Sequence, residues 1–202
     1  MTQEKKTTRM RLLDAALDAF SEKGFDGASI REITRRVGIR ESGFYAHFAG
    51  KRDAYDELLG EAGPAAAVRA MRALEKIDEP GDFFPALMHV AIEGWSAPRA
   101  RKFLTLALRN AFVGEGNDWR AILHGVDNAL STLAPRIARW QNEGKMTAEV
   151  PAAQLAYLFM APIAVVRIMF FNSAAGPQEA QRGQQMLDEH VRAFLLLSRN
   201  QT

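Results

Sequence analysis

The sequence predicts an all-α protein: an N-terminal three-helix domain with a helix-turn-helix, followed by a larger helical domain. Three observations support this fold class. Apolar residues recur at helical spacing through most of the chain, no segment keeps the alternation of a β-strand, and glycine or proline separates the helical segments. We place the domains at residues 1–52 and 53–202, with a helix from about residue 51 linking them.

Composition excludes several classes of protein. The 202 residues are 48% hydrophobic and 25% charged and include no cysteine, which rules out a disulfide framework and is typical of a soluble intracellular chain. The N-terminus lacks the apolar stretch of a secretion signal. The most apolar run, 155–171, is shorter than about 20 residues and contains Pro162 and Arg167, so we expect no membrane span and a cytoplasmic location.

The first predicted helix begins at Thr8. Its apolar residues follow the spacing of an amphipathic helix: Leu13, Ala16, Leu17 and Phe20. Gly24 ends the helix, and Phe25 is the apolar residue expected to fold back in a glycine cap. We expect this helix to pack behind the next two.

The stretch 29–48 reads as two short helices joined by a tight turn. Ser29 and Glu32 have the spacing of a capping box, which starts a helix. That helix buries Ile30, Ile33 and Val37. Gly38 ends it, because only glycine adopts the backbone of such a turn without strain.

The second helix of this unit, from about Glu41, has an outer face almost free of bulk. Phe44 and Phe48 share its inner face, Ser42, Gly43 and Ala46 lie opposite, and Tyr45 lies at the border. An ordinary solvated face more often carries long polar residues. Small residues let a helix press into a DNA major groove, about 12 Å wide.

These residues resemble the DNA-binding signature of the TetR family of transcriptional regulators. The resemblance covers about residues 8–58 and rests on Gly38-Ile39, on 43–48 (GFYAHF) and on Lys51. Arg40, Glu41 and Gly43 depart from the residues usual at those positions, which concerns base specificity. The resemblance implies a homodimer that binds a palindromic DNA operator, usually as a repressor, and is released by a small-molecule effector.

For DNA binding we predict Ser29, Arg31, Arg40, Ser42, Gly43, Tyr45, His47 and Lys51. Arg40 is placed to contact guanine or a phosphate, and His47 to contact a phosphate or to serve the fold. Lys51 opens a helix, where an anion such as a phosphate is favoured. Residues 1–52 carry 11 Lys and Arg against 7 Asp and Glu, as a DNA-binding domain would.

The C-terminal domain is predicted to contain helices up to about Ile77 and at 82–96, 98–113, 117–143 and 152–174, with a last one after Gly176-Pro177. The last two carry more apolar surface than one chain should need, so we predict a dimer interface there, each subunit contributing two helices to a four-helix bundle. The predicted interface residues are Leu155, Phe159, Ile163, Val166, Phe170, Leu187, Val191 and Phe194. An intrachain core fits the same pattern.

The central helices contain aromatic residues interleaved with a few polar ones, which suits either a ligand pocket or a core. The candidate pocket residues are Trp95, Phe103, Arg109, Asn110, Phe112, Trp119, His124 and Trp140.

No zinc motif, phosphate-binding glycine loop or hydrolase elbow occurs, so we predict neither enzyme activity, nor a metal, nor a cofactor. We therefore predict a ligand-responsive DNA-binding regulator. The alternative is a DNA-binding domain joined to a helical domain that docks a protein partner and has no small-molecule effector.

Overall fold

The computed structural model describes residues 7–62, 65–113 and 117–200, with the backbone alone at 59–62, 65, 109–113 and 117–122. These residues form helices and connecting turns without a strand, which confirms the all-α prediction. The helices are α1 (Thr8–Gly27), α2 (Ile30–Val37), α3 (Glu41–Tyr45), α4 (Lys51–Ala62), α5 (Ala65–Ala73), α6 (Pro80–Ser96), α7 (Pro98–Val113), α8 (Asn117–Asn142), α9 (Ala152–Phe170) and α10 (Pro177–Leu197).

Two glycine turns confirm the predicted helix ends. Gly24 has φ +75° inside the span of α1, so the regular helix stops there and Phe25 turns back against the ring of Phe20, with 5.6 Å between the ring centroids. Gly38 is left-handed at φ +78° and ends α2. A side chain at either position would be strained. The predicted break at Gly63-Pro64 lies outside the described residues.

Two helices end earlier than predicted, and side chains bind carbonyl groups at or just beyond their ends. After α5 the guanidinium of Arg136 donates to the carbonyl oxygens of Leu74, Glu75 and Ile77. After α9 the amide of Asn172 donates to two helix carbonyls, and its oxygen accepts from the N–H groups of the next turn. The predicted ends at Ile77 and Ala174 are therefore wrong.

One hydrophobic cluster, here called the head core, fills the space behind the helix-turn-helix. Besides residues of α1, α2 and α3 it contains Ala54, Tyr55 and Leu58 of α4 and Phe103, Leu106 and Ala107 of α7. All are buried. The cluster thus continues past residue 52 into two later helices, while the domain boundary itself stays a prediction.

A second cluster, the body core, joins α5, α6, α8, α9 and α10. At its centre Phe84 packs against Phe159 at 4.5 Å and against Phe194 at 4.9 Å between ring centroids. All eight predicted interface residues belong to this cluster and are at most 7% exposed. They are Leu155, Phe159, Ile163, Val166, Phe170, Leu187, Val191 and Phe194. They form an intrachain core, so their assignment to a subunit interface is corrected.

Helix α9 also has an exposed apolar side. By length and composition it could cross a membrane, but a third of its apolar stretch is buried against the rest of the chain. The large apolar residues exposed on this helix are Tyr157, Leu158, Val165, Ile168 and Met169. Met186 and Leu197 of α10 are exposed as well.

Candidate nucleic-acid interface

Helix α2 begins and ends as its sequence predicts. Ser29 Oγ accepts the N–H of Glu32 at 3.2 Å, which satisfies one free donor of the first turn. At the other end, the N–H of Ile39 bonds back to the Thr34 carbonyl at 3.1 Å across Gly38. The two ends fix α2 over eight residues.

The Glu32 side chain does not complete the predicted capping box but fastens α2 to α1. Its carboxylate accepts from Lys23 at 2.7 Å and from Arg36 at 2.8 Å, and Arg36 also pairs with Glu22 of α1. The hydrogen bond from Lys23, followed by that from Arg36, lowers the pKa of Glu32. Sequence spacing does not reveal this network, because Lys23 and Glu22 lie outside the local motif.

Helix α3 is anchored by its inner face. Phe44 and Phe48 are buried in the head core, 5.2 Å apart between ring centroids. Tyr45 lies beside Phe44 but remains 57% exposed, so it is not a buried scaffold residue. A Cβ on Gly43 would lie 3.1 Å from Ile39 Cδ1, so α3 and the turn approach each other closely here.

The structure leaves seven of the eight predicted DNA-binding residues accessible. Ser29, Arg31, Arg40, Ser42, Tyr45 and His47 are exposed, and Gly43 is half-buried. We call the exposed members on α2, α3 and their flanks the reading face: Ser29, Arg31, Arg40, Ser42, Tyr45 and His47. Arg40 occupies the N-cap position of α3 without a capping hydrogen bond from its side chain.

Lys51 differs from the other predicted contacts. Its ammonium group donates to the carbonyl oxygens of Phe25 at 2.6 Å and Ala28 at 2.9 Å, and it approaches that of Asp26 at 3.4 Å. It also lies 4.5 Å from the centre of the Phe25 ring. These contacts use the three donors of an ammonium group for the fold. Its predicted phosphate contact stays a prediction. In the structure this lysine links the start of α4 to the end of α1.

Arg11 supports the same unit from α1. Its guanidinium donates to the carbonyl oxygen of Val37 at 2.7 Å, at the C-terminal end of α2, where unpaired carbonyls favour a cation. Arg9 pairs with Glu57 of α4 and lies over the ring of Phe48. The orientation of the reading face is therefore set by α1 and α4.

Residues 12–58 match the model of the bacterial regulatory proteins of the tetR family. These residues are the ones that build the helix-turn-helix and its supports. Residues 12–58 therefore make up a TetR-type DNA-binding region.

Partial matches to known regulators agree with this likeness. It is 37% identical over 79 residues to an uncharacterized HTH-type transcriptional regulator of Haemophilus influenzae, covering 39% of this chain and 38% of that protein. It is 38% identical over 56 residues to the HTH-type transcriptional regulator AcrR of Shigella flexneri, covering 28% of this chain and 26% of AcrR. The chain thus matches well under half the length of these relatives.

A solved structure extends the likeness to the whole fold. SmeT, the repressor of the multidrug efflux pump SmeDEF of Stenotrophomonas maltophilia, superposes with a TM-score of 0.71 at 21% identity. The superposition covers 93% of this chain and 90% of SmeT. The C-terminal helices of this chain therefore follow a known arrangement, at an identity of only 21%.

The predicted pocket residues do not share one environment. Trp140 is buried in the body core and donates to the carbonyl of Asp78 at 2.7 Å, while Phe103 is buried in the head core. His124 is exposed and bonds to Asn128. These three side chains therefore do not line one common pocket, and Phe103 instead lines a cleft with residues of α1, α4 and α6. The side chains of Arg109, Asn110, Phe112 and Trp119 lie outside the described residues.

Trp95 is the remaining pocket candidate. It is half-buried and packs against Phe171, with 5.8 Å between ring centroids. The guanidinium of Arg167 lies over the Trp95 ring, 5.0 Å from its centroid. Burial lowers the pKa of Arg167 to about 10, so this guanidinium stays charged at neutral pH. Among the described residues, no group of three acidic, His or Cys side chains is placed to hold a metal ion.

Proposed function

We propose that this chain is a transcriptional repressor that binds a palindromic operator as a dimer and leaves it when a small-molecule effector binds. The observation that carries the proposal is the reading face: an exposed, low-bulk helix surface flanked by exposed arginines on a rigidly anchored helix-turn-helix. SmeT, which shares the fold, is a repressor.

Gly43 and the residues of the reading face have separate tasks in this proposal. Gly43 and Ser42 let α3 approach the floor of a major groove closely. Arg40, at the start of α3, hydrogen-bonds the edge of a guanine in the major groove. Tyr45 contacts a thymine methyl group and a phosphate. Arg31 and Ser29 bind phosphates beside the groove and fix the register. These contacts give a basic, shape-matched surface with base specificity concentrated at the start of α3.

Dimerisation is assigned to the outer sides of α9 and α10. Tyr157, Leu158, Val165, Ile168 and Met169 are each more than 40% exposed on one helix. A contiguous apolar surface of this kind is rare on a monomer and marks an interface. A two-fold pairing of α9 and α10 places two reading faces on one side of the duplex, which requires a palindromic target.

The effector site is proposed around Trp95. An aromatic wall, with the charged Arg167 stacked on it, offers both an apolar surface and a cation to a small molecule. An effector acts only if it binds more tightly to the DNA-free arrangement than to the DNA-bound one.

Selection of duplexes from a random pool by the full-length chain tests the proposal. We expect recovery of a palindrome, bound far more tightly than random duplex at physiological salt. The selected operator is then titrated in the presence of candidate metabolites. Failure to enrich any sequence contradicts the proposal. If DNA binds but a second protein copurifies on the apolar side of α9, the protein-docking alternative replaces the effector.

A further inference from the structure

A cleft opens where the head core meets α6 and α7. It is lined by Leu17 of α1, Leu58 of α4, Gly94 of α6, and Ala97, Arg99, Ala100 and Phe103 at the start of α7. It is separate from the reading face and does not include Trp95 among its lining residues.

The cleft has an apolar floor and an open mouth. Leu17, Leu58 and Phe103 are each at most 3% exposed and form the floor, whereas Gly94 and Ala97 lie at the surface. Its volume is about 240 Å³. Because water takes about 30 Å³ per molecule in the liquid, a ligand with on the order of eight non-hydrogen atoms fits the cleft.

Among the described residues that line the cleft, Arg99 alone carries a charge. Its guanidinium pairs with Asp14 of α1 at 3.1 Å, and both side chains are about one-third exposed. One turn away, Lys102 of α7 pairs with Asp18 of α1 at 2.6 Å. Helix α1 is therefore tied to α7 by two ion pairs, one of which belongs to the cleft.

We propose that this cleft binds a small amphipathic monocarboxylate. Its carboxylate takes the place of Asp14 on the guanidinium of Arg99, in the bidentate geometry that arginine favours. Its apolar chain lies over Gly94, Ala97 and Ala100 at the mouth, above the buried floor, and removes their exposed surface from water. Because the ligand competes with Asp14, its binding removes one of the two ion pairs between α1 and α7. This site goes beyond the function proposed above and does not depend on DNA binding.

Hexanoate, with eight non-hydrogen atoms, is the probe, and hexan-1-ol is its uncharged counterpart. Binding to the full chain without DNA is measured by calorimetry and ligand-observed NMR. We expect hexanoate to bind at least about ten-fold more tightly than hexan-1-ol. Arg99→Gln should abolish this preference, and Ala100→Leu should fill the cleft and reduce binding of both probes. Arg139→Gln, at an exposed arginine paired with Asp78, is the matched control and should change neither.

The Asp14→Asn variant gives the sharpest test. Removing the competing carboxylate should tighten hexanoate binding by about two- to five-fold, the range expected for a partly exposed ion pair. Thermal melts confirm that each variant is folded. Equal affinity for the two probes, weaker hexanoate binding in Asp14→Asn, or no hexanoate binding at millimolar concentration overturns the proposal.

Discussion

The ammonium group of Lys51 donates to the carbonyl oxygen of Phe25 at 2.6 Å, so the first residue of α4 closes the end of α1. The two residues are 26 positions apart, and the bond joins the two helices that support the helix-turn-helix. A lysine that would otherwise repel the positive end of its own helix is thereby stabilised.

Replacing Lys51 by methionine should therefore lower stability. The carbonyls of Phe25 and Ala28 lose a charged donor, at a cost of about 1–3 kcal/mol in the free energy of unfolding. Urea unfolding followed by circular dichroism measures the change. If stability is unchanged but the salt dependence of DNA binding falls by about one phosphate contact, the lysine serves DNA rather than the fold.

Arg40→Ala should relax specificity at one base pair of each operator half. An exposed arginine at the N-cap of α3 is placed for a bidentate contact to guanine, worth about 1–3 kcal/mol of discrimination. Fluorescence anisotropy with operators substituted at each base pair measures this loss of discrimination. Arg192→Ala, at an exposed arginine of α10, is the control. Uniform weakening on every operator, with a smaller salt slope, would show a phosphate contact instead.

The network around Glu32 should make the stability of the N-terminal helices depend on pH. The hydrogen bonds from Lys23 and Arg36 hold the pKa of Glu32 below its ordinary value of 4.5. A carboxyl group with a lowered folded pKa stabilises the fold above its ordinary pKa, and this contribution is lost as pH falls through the folded pKa.

Glu32→Gln removes that titration. We expect the variant to be less stable than the wild type at pH 7, and the difference to shrink as the pH drops below about 4. Thermal melts across this pH range test it. A stability difference that stays constant with pH would mean that packing, and not the charge of Glu32, holds α2.

Gly183→Ala should destabilise the contact between α9 and α10. A Cβ at this position would lie 2.5 Å from Phe170 Cβ and 2.9 Å from the ring of Phe171. Overpacking of this kind costs about 1–3 kcal/mol. Gly81→Ala is the matched control, because its added Cβ would meet no atom within 4 Å beyond its chain neighbours and the backbone of its own helix. Chemical unfolding compares the two, and equal stability would show that α10 shifts freely away from α9.

Val165→Lys should convert the proposed dimer into a monomer. Val165 is 55% exposed on the apolar side of α9, so lysine is tolerated by the isolated chain but not in a buried interface. Light scattering after size-exclusion chromatography gives the mass. Ser131→Lys on the exposed side of α8 is the control and should leave the mass unchanged. A Val165→Lys protein that remains dimeric places the interface elsewhere.

Local chemistry made the N-terminal helices predictable from sequence. Ser29 and Gly38 mark the ends of α2 through a cap and a left-handed turn, and both need only neighbouring residues. The inward position of Phe44 followed from helical spacing in the same way. Lys51 and Glu32 were harder, because the partners that define their roles lie in α1, outside any local pattern.

The C-terminal helices were less predictable from sequence. The spacing of Phe159 and Val166 correctly predicted that they are covered, but spacing does not say what covers them. The structure covers them with α6, α8 and α10 of the same chain. The exposed side of α9 was less visible in the sequence because nearly every face of that helix is apolar.

Phe103, Leu106 and Ala107 come from α7 yet complete the head core. A fragment ending after α4 would expose Leu17 and Leu58 to water, and we expect it to aggregate or lose its fold. Transplanting this DNA-binding unit onto another regulator therefore requires that α7, or a copy of its apolar side, move with it. Functional chimeras between relatives should have their junctions where α1 and α7 come from the same parent.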